Sequence, residues 1–522
     1  MIDIYYLVVF PFALWLIYHF LFYPCVFSPL ARVPTPHWTC SISNAWILYA
    51  RFKSRENRTL EAAHRKCGPI VRVGPGEVSV NNIEAVKIVY QGGFNKHSWY
   101  SVFDNFGVPC MFSSVQARPH SIRKRMVSNI YSKSYISNSN SQSAQSDVIL
   151  NTRLIPVLED SMSNAIDVHS LFCAVAMDFI SAYCFGIKRS SDFINQKSYR
   201  EHWLKLYTTR KGYGFFAQEL PGLSKALEFL GIHPTPRWVG EANRELEKWC
   251  KRLTDATLED LCKSGPTLDT ADDPVVVRTL LAGYEKESKI RGTESPIHST
   301  TLLNRELSVA SEVLDHVLAG QETTGVALTY LSHHLSQSLP LQAILRAELR
   351  TLRPSMVLRD GRIAMPDPKQ LHGLRILHAM ILETIRRYAP AGGPEPRVVP
   401  SPSCHIDGYE IPGGTRISAS AFNLHRDEQA YPDPERWDYT RWLADGTSVQ
   451  AATRQFWGFS SGGRMCLGSN FAMHDIKLTV AAIYSNYTSH IVNDDGIEQT
   501  DMYTGHPKSN ALHLRFERVS DP

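Results

Sequence analysis

Residues 459–468 read FSSGGRMCLG, and residues 469–487, SNFAMHDIKLTVAAIYSNY, return to helical spacing at Phe471, Leu478 and Ala482. Cys466 thus stands at the start of a helix, against unpaired backbone N–H groups and the positive end of the helix dipole. Both lower a thiol's pKa from ~8.5 and favour the thiolate. A thiolate in that place is a ready axial ligand for haem iron. Gly462 and Gly463 let the chain turn without a Cβ, and Gly468 lets backbone approach a flat cofactor closely. Arg464, two residues before the sulfur, can neutralise a haem propionate with a forked contact.

The composition around that loop excludes several classes. With 522 residues, 43% hydrophobic and 20% charged, the chain can bury a large core. Lys+Arg 55 against Asp+Glu 51 leaves +4, too weak a field for a nucleic-acid partner. The other nine of the ten cysteines form no C-x-x-C and no zinc-type spacing, so they read as small buried hydrophobes.

Upstream of the loop the periodicity is mostly helical. Leu302, Leu303, Leu307, Ala310, Val313, Leu314, Val317 and Leu318 follow i, i+3, i+4 spacing with no proline until Pro340, which predicts one helix of about 57 Å over 301–338. It carries Ala319-Gly-Gln-Glu-Thr-Thr324, where a mid-helix glycine costs about 1 kcal/mol against alanine and must be favoured by something else. Leu374, Leu377, Ile381 and Ile385 mark a second helix, ended by Pro390, with Glu383 and Arg386 on one face. IVRVGPGEVSVNN (70–82) alternates as a hairpin does, and CHIDGYEIPGGTRISA (404–419) reads as strand, turn, strand. The polar stretches 132–146, 264–274 and 285–300 read as loops. The predicted fold is α+β and mainly helical, one large domain with a small β region.

Residues 4–27, IYYLVVFPFALWLIYHFLFYPCVF, form an almost uncharged run that as a helix would be about 36 Å long, enough to cross a ~30 Å hydrocarbon layer. No basic n-region precedes it and no A-x-A-like site follows, so a retained single-pass transmembrane anchor is expected rather than a cleaved signal. No Lys or Arg precedes Arg32, whereas Arg51, Lys53, Arg55, Arg58, Arg65 and Lys66 follow, which places the body in the cytosol. Pro29, Pro34 and Pro36 make 28–36 a stiff hinge, leaving 37–522 as the catalytic domain.

The pattern F-x-x-G-x-R-x-C-x-G, here Phe459 to Gly468, resembles the haem-ligand signature of the cytochrome P-450 family. Three further stretches are similar to that family's motifs and stand in its order. The Ala319–Thr324 text resembles the stretch that lies over the haem, which implies Thr323 and Glu322 as the proton-delivery pair. Glu383-Thr-Ile-Arg386 resembles E-x-x-R, implying a structural ion network whose third member is an arginine from a P-E-R-[FW] stretch. Arg441 in WDYTRWL (437–443) aligns there after Y-P-D-P, although Pro434-Glu435-Arg436-Trp437 matches the letters better, so Arg436 stays open. The propionates would be held by His120 and Lys124 in HSIRK, by Arg397 after the E-x-x-R helix, and by Arg464.

The resemblance implies a haem-thiolate monooxygenase, with haem as cofactor and Cys466 as its iron ligand. It would insert one oxygen atom from dioxygen into a lipophilic small molecule and sit in the endoplasmic reticulum membrane. Nothing in the chain resembles a flavin or nicotinamide site, so electrons would come from NADPH through a separate flavoprotein reductase. The basic run Arg118, Arg123, Lys124, Arg125 and Lys133 would form a docking patch for it, a solvated helix face being the alternative reading. The pocket walls would include 99–112, the long helix near Ala319, 391–396 and 502–505. The text is most similar to filamentous-fungal members that oxidise terpenoids, polyketides or alkaloids. Two alternatives stay open: a reductase-independent haem-thiolate isomerase or dehydratase, and a haem-binding sensor without turnover.

Overall fold

The computed structural model of the protein describes residues 2–162, 164–263, 269–444 and 446–519. The apolar N-terminus is helical, α1 (Ile2–Ile17) running into π-helical turns over Tyr18–Phe27. Two described helices are long and apolar enough to cross a membrane, Val9–Phe27 and Val168–Phe185. Only 6% of the first is buried, whereas the second is wholly buried and is the core helix of the body. The chain leaving α1 is pinned to the body by Arg72, whose buried guanidinium donates to the carbonyls of Pro24 (2.7 Å) and Ser41 (3.3 Å).

Short helices α2 (Ala45–Phe52) and α3 (Glu56–Cys67) lead into the small β region. There β1 (Ile70–Gly74) and β2 (Glu77–Val80) form the predicted hairpin around Pro75 and Gly76, followed by β3 (Asn95–Lys96). After β4 (Ile166–Asp167) come β5 (Arg397–Val398), β6 (Ser403–Ile406), β7 (Tyr409–Pro412), β8 (Arg416–Ser418), β9 (Tyr487–Asn493) and β10 (His513–Arg518). They make a five-stranded sheet β1-β2-β8-β5-β3, a three-stranded sheet β4-β10-β9 and the β6-β7 hairpin. In the first sheet only β2 and β8 run parallel.

The remaining bulk is helical. The helices that shape the site are α4 (Ala117–Val127), α5 (Val168–Phe185), α6 (Lys197–Lys211), α7 (Arg237–Lys263), α8 (Val275–Arg291), α9 (Arg305–Ser336), α10 (Arg375–Arg387) and α11 (Ser469–Tyr484). The main core gathers α5, α8, α9 and α11 around Phe172, Val175, Val313, Val317, Leu328 and Leu478. Each such buried side chain stabilises by about 1.5–3 kcal/mol. The long helix is shorter than the predicted 301–338 because residues 298–302 form a separate π-helical turn before it.

Two polar stretches correct the loop reading. Residues 132–146 are helical over Lys133–Asn138 and Asn140–Val148. Their serines are caps: the Ser132 and Ser139 hydroxyls each accept the N–H three residues on, at 3.2 Å. Three of the polar residues, Gln142, Gln145 and Ser146, are also buried, Gln142 donating to Asp475 at 3.2 Å. Likewise 285–291 belongs to α8, while 264–268 lies outside the described residues.

Candidate functional site

Between the 462–464 turn and the start of α11 the cysteine loop closes on its own backbone. The N–H of Cys466 donates to Phe459 at 2.9 Å and that of Met465 to Gly462 at 3.1 Å. Gly462 has φ +72° and packs so closely that a Cβ there would lie 2.2 Å from the Tyr90 carbonyl, so only glycine fits. Cys466 is solvent-accessible, with many protein atoms around it. Burial raises the thiol above its ordinary range, outweighing the N–H groups of Gly468 and Ser469 and the Lys124 charge that pull it down. The lowering expected from the helix start is therefore present but loses to desolvation, and bound iron would tip it, since coordination deprotonates a thiol outright.

Positive groups converge on the same region. Arg464 donates to the carbonyls of Ser114 and Val115, both at 2.7 Å. Lys124 donates to Gly463 (3.0 Å) and Met465 (2.9 Å), tying α4 to the loop. Arg397 is buried beside Tyr100 and pairs with Glu395 at 3.1 Å. Lys96 of β3, which no sequence motif marks, sits over the rings of Tyr100 (4.1 Å) and Phe112 (4.0 Å) and donates to the Phe112 carbonyl. Burial first, then Arg397 and Arg464, pushes Lys96 well below the usual lysine range. Burial and the charges of Arg464, Lys96, Lys124 and Arg397 push His120 down to about 2. Glu395 forms the one ion pair in this group among the described residues. Basic groups packed so closely that they suppress one another's charge are stabilised by anions placed among them. The two carboxylates of haem, with Cys466 as the iron's thiolate, fit this donor set.

The helix α9 presents one open face. In a helix otherwise largely buried, Asp315, Leu318, Ala319 and Thr323 are accessible, at i, i+3, i+4 and i+8. Tyr131 links this helix to α11, its hydroxyl 2.9 Å from His316 and its ring 6.0 Å from Phe471. The Thr323 hydroxyl donates to the Ala319 carbonyl at 2.8 Å. Glu322 points elsewhere: it is buried, pairs with Lys211 of α6 and accepts from the Tyr207 hydroxyl at 3.1 Å. Lys211 holds it below the usual carboxylate range against the cost of burial. The mid-helix glycine also has a packing reason, since a Cβ on Gly320 would lie 3.0 Å from Ile180 of α5.

Beneath the loop, Glu383 is completely buried and Arg386 pairs with it at 2.8 Å. Arg441 reaches the same carboxylate at 3.2 Å, whereas Arg436 contributes only its carbonyl, to Arg386 at 3.1 Å. Trp442 adds an indole N–H at 3.0 Å. His425 connects this network to the loop: its ring Nδ1 lies 3.0 Å from the Arg386 carbonyl, and its Nε2 is 2.9 Å from the Trp457 N–H. A carbonyl only accepts, so Nδ1 carries the proton and Nε2 is bare, which makes the ring neutral. Burial, then Arg386, lowers its pKa to about 3.

Because the unfolded value is near 6.5, the unfolded chain binds more protons between pH 6.5 and 3. The stability His425 contributes is full above pH 6.5 and is lost as pH falls through that window, by at most about 1.4 kcal/mol per pH unit. Thermal midpoints measured from pH 7 to 5 are expected to fall less steeply for His425→Gln than for the wild type. Parallel slopes would show that His425 is not the titrating group.

Of the four stretches expected to wall the pocket, 99–112 and 391–396 each touch 502–505, and 99–112 also touches the long helix at Ser311. The Trp99 and Tyr503 rings are 5.1 Å apart, Gly393 donates to Tyr503 at 3.1 Å, and Asn105 donates to the Ser311 carbonyl of α9 at 3.1 Å. The basic run needs one correction. Arg118, Arg125 and Lys133 are exposed and Lys124 half-buried, but Arg123 is buried against Ser114, Thr301 and Glu312 and cannot belong to a docking patch.

Residues 34–513 match the family described as Cytochrome P450. Similar curated proteins are the Cytochrome P450 monooxygenase FGM1 of Gibberella zeae (27% identical over 495 residues, 93% of this chain and 92% of that one) and the Cytochrome P450 monooxygenase orf2 of Aspergillus niger (25% over 488 residues, 92% and 91%). The Cytochrome P450 monooxygenase hkm5 of Aspergillus hancockii is 25% identical over 521 residues, covering 94% of this chain and 92% of that protein. A family match across nearly the whole body, over a helical fold with this cysteine loop, makes this chain a member of the cytochrome P450 family, the haem-thiolate monooxygenases.

Proposed function

We propose that the protein is a single-pass endoplasmic reticulum enzyme with a cytosolic body, anchored by 4–27, hinged at 28–36 and catalytic over 37–522. It inserts one oxygen atom of dioxygen into a lipophilic secondary metabolite of terpenoid, polyketide or alkaloid type. The second oxygen leaves as water, with two electrons from NADPH delivered by a separate flavoprotein reductase. When bound, thiolate-ligated haem supplies the activation of dioxygen and the attack on an unactivated C–H bond. The observation that carries this reading is the convergence of basic residues, Arg397, Arg464, Lys124 and Lys96 with a single ion-paired carboxylate among the described residues, on the loop of the accessible Cys466.

In this reading Cys466 ligates iron, Phe459 and Gly468 shape the loop beneath the cofactor, and Arg464, Arg397, Lys124, His120 and Lys96 hold its carboxylates. The aromatic and apolar residues of 99–112 and 502–505 hold the substrate and exclude water. Thr323, on the open face of α9, holds a proton at its hydroxyl, whereas Glu322, paired with Lys211 on the α6 side, does not face it. Co-expression with a reductase, with products compared with and without NADPH and dioxygen, tests the assignment; product formed without either overturns it. For Thr323→Ala, product per NADPH is expected to fall by on the order of tenfold, with the missing electrons recovered as hydrogen peroxide. Unchanged coupling would remove Thr323 from the proton path.

A further inference from the structure

An open cleft of about 1030 Å³ lies between α3 and the 498–508 turn, and no residue of the cysteine loop lines it. Four cations line it, Arg55, Arg58, Lys66 and Lys508, and all four are exposed. Two carboxylates face them. That of Asp501 is already engaged, accepting the N–H groups of Asn57 (2.9 Å) and Arg58 (3.0 Å) at the start of α3, which leaves Glu498. Among the described residues none of the four cations makes an ion pair within 4 Å, whereas neighbouring Arg65 pairs with Glu61 at 2.8 Å. Lys66 reaches only the Pro36 carbonyl, at 3.4 Å. The cleft thus holds four cations against two carboxylates, a net positive hollow in which no cation is closely paired.

Its position says what supplies the anion. Pro36, in its wall, follows the apolar helix that ends at Phe27 by nine residues. Arg72 of β1 holds this exit segment against the body through the Pro24 carbonyl, and its own N–H donates to Pro34 at 2.8 Å. Close in sequence to the cleft residues Pro36, Trp46 and Ser54, large aromatics are exposed: Trp38 (74%), Tyr49 (65%) and Phe52 (54%). Aromatic side chains interleaved with Lys and Arg next to a membrane-crossing segment are the composition of a surface resting at the headgroup level.

We propose that this cleft binds the phosphate of an anionic lipid headgroup and thereby fixes how the body lies on the bilayer. The inference rests on the anchor and is independent of the oxidation chemistry. Each juxtamembrane cation contributes about fivefold to attraction of an anionic surface, so removing three weakens it on the order of 100-fold. The attraction fades with added salt.

The test uses the full-length chain in phosphatidylcholine nanodiscs with and without phosphatidic acid, read by hydrogen–deuterium exchange over 55–66 and 498–508. Phosphatidic acid is expected to protect both segments, and the triple variant R58A/K66A/K508A to need on the order of 100-fold more of it. The single reversal K508E, at an exposed site, provides a second variant with minimal folding risk and is expected to weaken protection in the same direction. Equal protection in pure phosphatidylcholine overturns the proposal, as does a variant indistinguishable from the wild type. Protection by inorganic phosphate as strong as by the lipid would make this a soluble-anion site, and protection only by an acidic protein surface would make it a protein interface. Either result overturns the lipid assignment.

Discussion

Cys466→Ala is expected to yield folded protein that has lost both the thiolate-type carbon monoxide spectrum and all detectable oxygenation. The substitution isolates the sulfur, because the loop is held through backbone: the Cys466 N–H to Phe459, Lys124 to two loop carbonyls and Arg464 to Ser114 and Val115 all survive it. Circular dichroism should therefore match the wild type while the spectrum does not. None of the other nine cysteines lies in that loop. Cys110, Cys173, Cys184 and Cys250 are buried, with thiols that burial holds in the neutral form. Cys25 lies in the apolar N-terminal segment and Cys262 at the exposed end of α7. A variant that kept the thiolate-type spectrum would refute the ligand assignment.

What the sequence made legible was local. A turn that needs glycine, a cysteine at a helix start and a Glu and Arg one helical turn apart are each written within ten residues, so FSSGGRMCLG and Glu383–Arg386 can be placed from the order of residues alone. The hairpin at 70–80 was readable for the same reason. Long-range partners were not. Lys96 joins Arg397 and Arg464 only because β3 pairs with β5, and a single lysine among aromatics carries no sequence signal for that. Glu322 and Thr323 are adjacent letters, but a 100° turn between neighbours sends one toward Lys211 and the other onto the open face. The serine-rich 132–146 misled because serine reads as loop by composition, whereas Ser132 and Ser139 here start helices.

The second large effect falls on Glu383. Its two oxygens take five donors: Arg386 Nη2 (2.8 Å), the Asp438 N–H (2.8 Å) and Arg441 Nε (3.2 Å) on Oε1, and Arg386 Nε (2.9 Å) and Trp442 Nε1 (3.0 Å) on Oε2. Removing one side of a buried ion pair costs about 3–5 kcal/mol, a large share of the ~5–15 kcal/mol that holds a folded protein together. Glu383→Ala is therefore expected to give no recoverable holoprotein. The sharper test is Glu383→Gln, which keeps the shape. Whichever way the amide turns, its NH₂ faces at least two donors, so this variant also loses several kcal/mol. Arg441→Ala removes one 3.2 Å contact to Glu383 and two longer ones to the Pro432 carbonyl, from a side chain 12% exposed, and costs nearer 1 kcal/mol. Thermal midpoints and the fraction of purified protein that retains haem should fall most for Glu383→Ala, less for Glu383→Gln and least for Arg441→Ala. If Glu383→Gln melts with the wild type, the five donors find other acceptors, and this network does not support the floor on which the cysteine loop rests.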